Sequence, residues 1–401
     1  MLRPSVAFVV QRAGSDVHGG AENLCVELAG RMAAFWNVEI LTTCARDHHT
    51  WANVYPPGPA RIGDVAVRRF TVVRERNGRA FEALSRRLVA EPERADRELE
   101  RRWLQAQGPE VPALRQHLAR AAYDLVYFFS YLYATTYAAI DVVADRAVLL
   151  PLAHDEWMLR LPHARDVFTA ARAVVALGVD ERDLIVTRFP GARVEREPIG
   201  SGIEMPDDIR AERFRTAFGI VEPFLLALGR VDAAKGADTL AYDFIALREA
   251  APASRYRKLV FAGPVATKLP RHRDIVVIGA ITERMKWDAL AASDAVAVAS
   301  PFESLSLVAL EAFAAGRPIV ANGASRVLVG HCRRANAGLW YGNREEFVGI
   351  LASDFVGARE ALGRNGPGYI ATHFAWRTVV ERHRLLAEKV LADRIAQSER
   401  P

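Results

Sequence analysis

Short apolar runs recur along the chain, separated by glycine-bearing turns and stretches of helical spacing. VAFVV at 6–10 is continuously apolar, the pattern of a strand buried on both faces of a parallel sheet. A loop with Gly14, Gly19 and Gly20 follows, then a helical pattern over 21–35 and a second strand, VEILTT, at 38–43. That order is a βαβ unit. Strands are predicted again at 124–129, 147–152 and 173–177, and a second series at 224–228, 258–262, 275–278, 295–298 and 318–321. Helical stretches near 236–250, 283–292, 306–315 and 344–352 separate the strands of that second series. The pattern predicts an α/β protein of two doubly wound, Rossmann-like domains facing each other across a cleft. The domains span 1–198 and 205–372, joined by the polar segment PIGSGIE at 198–204. A long amphipathic helix from 376 to about 396 closes the chain, with Val380, His383, Leu386 and Val390 near one face.

Residues 74–122 break the alternation. They are rich in Arg and Glu, and Leu84, Leu88, Leu99, Leu114 and Leu118 recur at helical spacing, which predicts two or three amphipathic helices outside the main sheet. Arg86, Arg87, Arg94, Arg97, Arg101 and Arg102 would give this insertion a basic face attractive to anionic lipid. Glu91, Glu93, Glu98 and Glu100 interleave with them, so a solvated, salt-bridged face is the alternative.

With 401 residues, 51% hydrophobic and 25% charged, the chain has the composition of a globular protein and not of a disordered one. No apolar run is long enough to cross a bilayer, and the apolar start is too short for a signal-peptide core, so a cytoplasmic location is expected, with peripheral contact at the inner membrane an open partner reading. Cys25, Cys44 and Cys332 have no metal-ligand or CxxC spacing, which argues against a zinc site and a disulfide scaffold. The net charge of +5 is mild and diluted by 48 acids, so nucleic acid is not an expected partner.

Three segments have the residue types of an anion site. The loop around Gly19 and Gly20 lies between the first strand and a helix N-terminus, where free N–H groups and a partial positive charge suit a phosphate. It is not GxGxxG, so a dinucleotide fingerprint is absent. Gly229-Arg230 and Lys235-Gly236 directly follow the strand at 224–228, where cationic side chains can clamp a diphosphate. Glu303 and Glu311 stand eight residues apart in PFESLSLVALEAFAAGRP, with a helix starting between them at Ser306 and Leu307. The free amides there can hold anionic oxygens, and a carboxylate at 311 suits a ribose diol. His154 stands at the end of a predicted strand, where doubly wound folds place ligands; Asp155 or Glu156 could orient it or touch an acceptor.

Taken together, E-x7-E at 303–311, GGAE at 19–22, HDE at 154–156, GR-x4-KG at 229–236 and FAGP at 261–264 resemble the donor-site signature of retaining GT-B glycosyltransferases of family 4, the glycosyl transferases group 1. The likeness spans nearly the whole chain. It implies a GT-B fold in which the tail 373–401 crosses back to the first domain, and a retaining transfer of a sugar from a nucleoside-diphosphate sugar to an acceptor hydroxyl. Arg230 and Lys235 would neutralise the departing diphosphate, and Glu303 would hold donor-sugar hydroxyls. Ser306 and Leu307 amides would reach phosphate or sugar, and Glu311 would bind ribose. Gly19, Gly20 and Gly229 would let backbone approach the diphosphate, while His154 and Asp155 would lie beside the donor sugar. Pro264 and Ile281 would line the base-binding wall. The family often has EGFG where this chain has ESLS, which changes the donors at the helix start.

No D-x-D motif occurs, so no metal ligand set and no required cofactor are expected, the two cations standing in for a metal ion. The implied partners are a nucleotide sugar and a glycan or lipid-linked acceptor, as in bacterial surface polysaccharide or glycolipid synthesis. The competing readings are another GT-B enzyme such as a nucleotide-sugar epimerase, and a non-catalytic basic scaffold that binds membrane or nucleic acid.

Overall fold

The computed structural model describes residues 3–17, 19–353 and 355–398; His18, part of the predicted glycine loop, lies outside them. The chain forms two compact units, one of Met1–Ser201 with Val379–Pro401, the other of Gly202–Thr378.

The first unit is built on seven strands: β1 (Ser5–Val9), β2 (Asn37–Thr43), β3 (Gly58–Ile62), β4 (Val65–Phe70), β5 (Leu125–Phe129), β6 (Ala147–Leu150) and β7 (Ala173–Val174). Their order is β3-β4-β2-β1-β5-β6-β7, parallel except for the β3–β4 pair. β5 and β6 are buried at every position, as expected of strands covered on both faces by helices. The hairpin β3–β4 went unread in the sequence. Its strands carry Arg61, Arg68 and Arg69 among their residues, and β4 shows only a half-buried alternation around Val65 and Val67. Pairing with β2, rather than a run of apolar residues, holds β4 in the sheet.

The insertion forms helices at Gly78–Leu88, Arg97–Gln107 and Pro112–Arg120. Leu84, Leu88, Trp103 and Leu104 bury its apolar stripe against Leu161. Three of the six arginines of the expected basic face are paired: Arg94 with Glu91, Arg101 with Glu98, and Arg97 with Asp166. Beyond residue 378 the last helix, Trp376–Ser398, packs in this unit through Val379, Leu386, Ala387 and Val390, with Arg172 bound to Asp393. Among the described residues no helix is long and apolar enough to cross a membrane.

The second unit has six parallel strands: β8 (Phe224–Leu228), β9 (Lys258–Ala262), β10 (Ile275–Gly279), β11 (Ala295–Val298), β12 (Ile319–Asn322) and β13 (Gly338–Tyr341). They are ordered β10-β9-β8-β11-β12-β13. β13 and the helices Ala211–Phe218, Arg326–Ala335 and Phe355–His373 were not legible in the sequence. The segment after residue 204, read as a connection, contains the helix Ala211–Phe218, which buries Phe214 and ends on a left-handed Gly219. The strand order reverses between β8 and β11, which makes their carboxyl ends the topological switch point where ligands bind in open α/β sheets.

Candidate active site

β8 delivers Gly229 to the carboxyl edge of the second sheet. Gly229 has a φ of 115° and donates its N–H to Ala262 O at 3.0 Å. A Cβ on the neighbouring Gly263, itself at φ 150°, would meet Gly229 O at 1.9 Å. Two loops therefore cross backbone to backbone, an approach that only glycine allows. Val231 N–H then bonds Pro264 O at 2.8 Å, which ties the β8 loop to the β9 loop and places Pro264, solvent-exposed, at the same edge. Ile281 follows β10 at that edge and is half-buried.

Beyond Gly229, Arg230 extends into solvent with its guanidinium 3.3 Å from Asp232. Asp232 also caps the short turn Ala233–Lys235 by accepting the Lys235 N–H at 2.9 Å, which aims the lysine. Lys235 Nζ reaches Glu303 Oε1 at 2.8 Å. The ammonium side chain is 40% exposed and the carboxylate 13%, so the pair contributes at most about 1 kcal/mol to folding. A bound anion could take over the ammonium at little cost.

Glu303 lies in the loop from β11 to the helix Leu307–Ala314. Ser306 caps that helix in the left-handed conformation, φ 62° and ψ 74°, without a side-chain capping bond. Its Oγ is buried and has no partner among the described residues. The Ser306 carbonyl accepts from Ala309 and Leu310, while the Leu307 and Val308 amides have no acceptor among the described residues. These first-turn N–H groups and the helix dipole form an anion-binding end. One helical turn further, Glu311 is held by Lys286 through Oε1. Burial pushes the Glu311 carboxyl up from its ordinary range, against the pull of Lys286. Burial opposes the Lys286 ammonium, but Glu311 and Glu283 outweigh it and hold the proton more tightly than usual. Lys286, one of only five lysines in the chain, was missed as a site residue; its scarcity was the available signal.

In the first unit, Gly19 precedes the helix Gly20–Met32 and is crowded by the Glu22 carboxylate, whereas space beside Gly20 is open. Glu22 is buried and takes two hydrogen bonds from the buried Arg12 in the loop after β1, 2.8 Å from Nε and 2.5 Å from Nη2. This pair, unread in the sequence, fixes the glycine loop onto the strand it leaves. His154 Nδ1 lies 3.5 Å from Glu156 Oε1. Asp155 turns away to Arg160 at 3.3 Å on the exposed surface. Among the described residues no group of three or more His, Cys, Asp or Glu side chains has the arrangement of a metal site, and all three cysteines are free and buried.

Lys235, Glu303, Ser306, Leu307 and Glu311 are thus brought to one edge of one sheet, with Gly229, Arg230 and Pro264 on the adjoining loops. Two such sheets define a GT-B protein. The fold matches sucrose-phosphate synthase of Thermosynechococcus elongatus with a TM-score of 0.70 at 16% identity, covering 98% of this chain and 100% of that one. It matches Anabaena HepE in complex with UDP and glucose with a TM-score of 0.66 at 16% identity, over 96% and 99% of the two chains. Residues 222–349 match the family model "Glycosyl transferases group 1". D-inositol 3-phosphate glycosyltransferase of Nocardia farcinica is 31% identical over 164 residues, 38% of this chain and 35% of that protein. The chain spans between 35% and 51% of the length of the curated relatives it matches.

Proposed function

We propose that this protein is a metal-independent, retaining hexosyltransferase that moves a sugar from a nucleoside-diphosphate sugar to an acceptor hydroxyl. The observation that carries the reading is the ion pair between Lys235 and Glu303, set beside the unpaired amides of Leu307 and Val308. A diphosphate entering there meets an ammonium and a helix N-terminus, and Arg230 is free to swing from its exposed contact with Asp232. Release of Glu303 from Lys235 turns that carboxylate into an acceptor for sugar hydroxyls. Charge developing on the leaving diphosphate falls on the cation and the fixed dipoles, which lowers the barrier where it rises. In this reading Glu311 receives the ribose diol, and Pro264 and Ile281 flank the base. In the first unit, His154 is the group for the sugar or the incoming hydroxyl, with Gly19, Gly20 and Asp155 as further donor contacts.

The acceptor is a surface glycan or a lipid-linked sugar, made on the cytoplasmic side with the protein peripheral at the inner membrane. The pairing of Arg94, Arg97 and Arg101 with acids leaves Arg86, Arg87 and Arg102 for lipid headgroups. Co-sedimentation with anionic liposomes at low salt tests that contact, and absence of binding removes it.

Thermal unfolding with UDP, GDP, ADP and their sugars, in EDTA, tests the activity's first requirement. A ligand at a hundred times its Kd adds about 2.7 kcal/mol, several degrees in Tm. One base is expected to stabilise the protein without a divalent ion, and Lys235→Ala and Glu311→Ala are each expected to abolish the shift. Stabilisation that appears only with Mg²⁺, or that survives both substitutions, overturns the reading.

A further inference from the structure

Two carboxylates of the first unit that have no task in the donor chemistry, the half-buried Glu156 and the buried Glu181, converge on His154. The chain leaves β6 through Leu152, whose φ of 52° is left-handed and unusual for a bulky residue. The next amide, Ala153 N–H, donates to Glu181 Oε1 at 2.5 Å. Leu177 N–H, just beyond the neighbouring β7, donates to Oε2 of the same carboxylate at 2.6 Å. Glu181 is 1% exposed, so one buried group ties together the exits of two adjacent strands and fixes the backbone one residue before His154.

The ring of His154 faces a second carboxylate. Glu156 Oε1 lies 3.5 Å from His154 Nδ1, an electrostatic contact longer than a hydrogen bond, and accepts the Tyr131 hydroxyl at 3.1 Å. Tyr131 is fully buried, stacked on His163 with ring centres 6.2 Å apart and packed against Phe168, so the carboxylate has a rigid support. Asp155 is paired with Arg160 and does not face the His154 ring's carboxylate partner.

We propose that Glu156, aimed by Tyr131, is the positioning residue of His154: its charge favours the tautomer that carries its proton on Nδ1 and accepts at Nε2. The physical reason is that an ionised carboxylate only accepts, so it selects the tautomer with its proton on the facing nitrogen. Burial raises the Glu156 carboxyl to about 7, in spite of the Tyr131 hydrogen bond, so the arrangement is complete above that pH. The consequence for sugar transfer rests on the function proposed above: Nε2 accepts a hydrogen bond from a sugar or acceptor hydroxyl.

The test needs no substrate. Long-range ¹H–¹⁵N NMR of the full chain with labelled histidine at pH 8, with His154 assigned from His154→Ala, is expected to show the Nδ1–H tautomer. In Glu156→Gln the Nε2–H tautomer should take over, as in a free imidazole. Tyr131→Phe, which keeps the core packing, should shift the ratio part of the way, and Asp155→Asn should leave it unchanged. An unchanged ratio in Glu156→Gln, or a shift produced by Asp155→Asn, overturns the proposal. For UDP-glucose or GDP-mannose turnover, Glu156→Gln is expected to lower kcat at least tenfold, with KM for the donor little changed and no further loss in a His154→Ala background. Additive losses refute the coupling. If neither donor is consumed by the unaltered protein, the transferase reading fails while the tautomer result stands or falls on its own.

Discussion

Ser306 combines two costs that a glycine would avoid. It is a non-glycine residue at φ 62°, and its hydroxyl is buried without a partner among the described residues. A left-handed conformation costs an L-residue roughly 1–2 kcal/mol, and an unsatisfied buried hydroxyl a comparable amount. The backbone in this chain follows the conformation that the EGFG form of the segment favours, although the residue is serine. Ser306→Gly is therefore expected to raise stability by about 1 kcal/mol, after the entropy glycine gains in the unfolded chain is subtracted. If the hydroxyl meets the donor, the same change weakens nucleoside-diphosphate binding, so the two effects have opposite signs. Urea unfolding with calorimetric titration of UDP and GDP reads both. A variant less stable than the parent would show that the serine conformation carries no strain.

At the scale of elements, the loop between β11 and the helix Leu307–Ala314 is held from behind by a residue of another helix. His331, in Arg326–Ala335, places Nε2 2.9 Å from the Leu305 carbonyl and Nδ1 3.0 Å from the Tyr369 hydroxyl. A carbonyl only accepts, so Nε2 carries the proton and Nδ1 accepts from Tyr369. His331→Leu would leave a buried carbonyl and a hydroxyl unsatisfied, at roughly 1–3 kcal/mol each. The expected outcome is a loss of about 2 kcal/mol or more in urea unfolding together with weakened nucleoside-diphosphate binding, and His331→Gln should recover part of both through its amide donor. Stability lost with full retention of binding would place His331 in the core alone. Strands such as FLLAL and AVAV are apolar throughout because both faces are covered, and helices such as Glu283–Ala292 and Arg344–Ala352 begin at capping residues Thr282 and Asn343, so both kinds announce themselves. β4 and the helix Arg326–Ala335 do not, because arginines stand in strand and helix alike and pairing or packing decides their form. The candidate donor residues were proposed from the sequence because they follow strand ends. Arg12, Lys286, Glu181 and His331 were not, because each acts through a partner in another element or loop.

At the scale of the whole molecule, the first unit encloses a group that its own core cannot charge. His383, on the last helix, has no exposure, and neither ring nitrogen has a partner among the described residues; Tyr127 meets its ring edge-on at 5.6 Å. Burial drives the imidazole down to about 3 from its ordinary value of 6.5. A base whose affinity for protons is lower in the folded state contributes stability that is present above the unfolded pKa. That stability is lost as pH falls from 6.5 toward the folded value, because the unfolded chain takes up the proton first. The slope is about 1.4 kcal/mol per pH unit for one proton. Glu156 acts in the opposite direction. Its carboxyl is raised from 4.5 to about 7, so the folded state binds the extra proton, and that stability is lost as pH rises from 4.5 through 7. Between pH 4.5 and 6.5 the two slopes cancel; below 4.5 the histidine remains and above 6.5 the carboxyl does. Replacing His383 with Phe fills the same space beside Tyr127 without an ionisable ring. It should leave stability at pH 8 within about 1.5 kcal/mol of the parent, as a shape-conserving change does. Between pH 6.5 and 4 it should remove the histidine's share, so His383→Phe becomes progressively more stable than the parent as acid is added. Urea unfolding at pH 8, 6.5, 5.5 and 4.5 measures the difference between the two proteins. A constant gap across that range would mean that the last helix lets solvent reach the ring, and that its docking in the first unit does not depend on a neutral histidine.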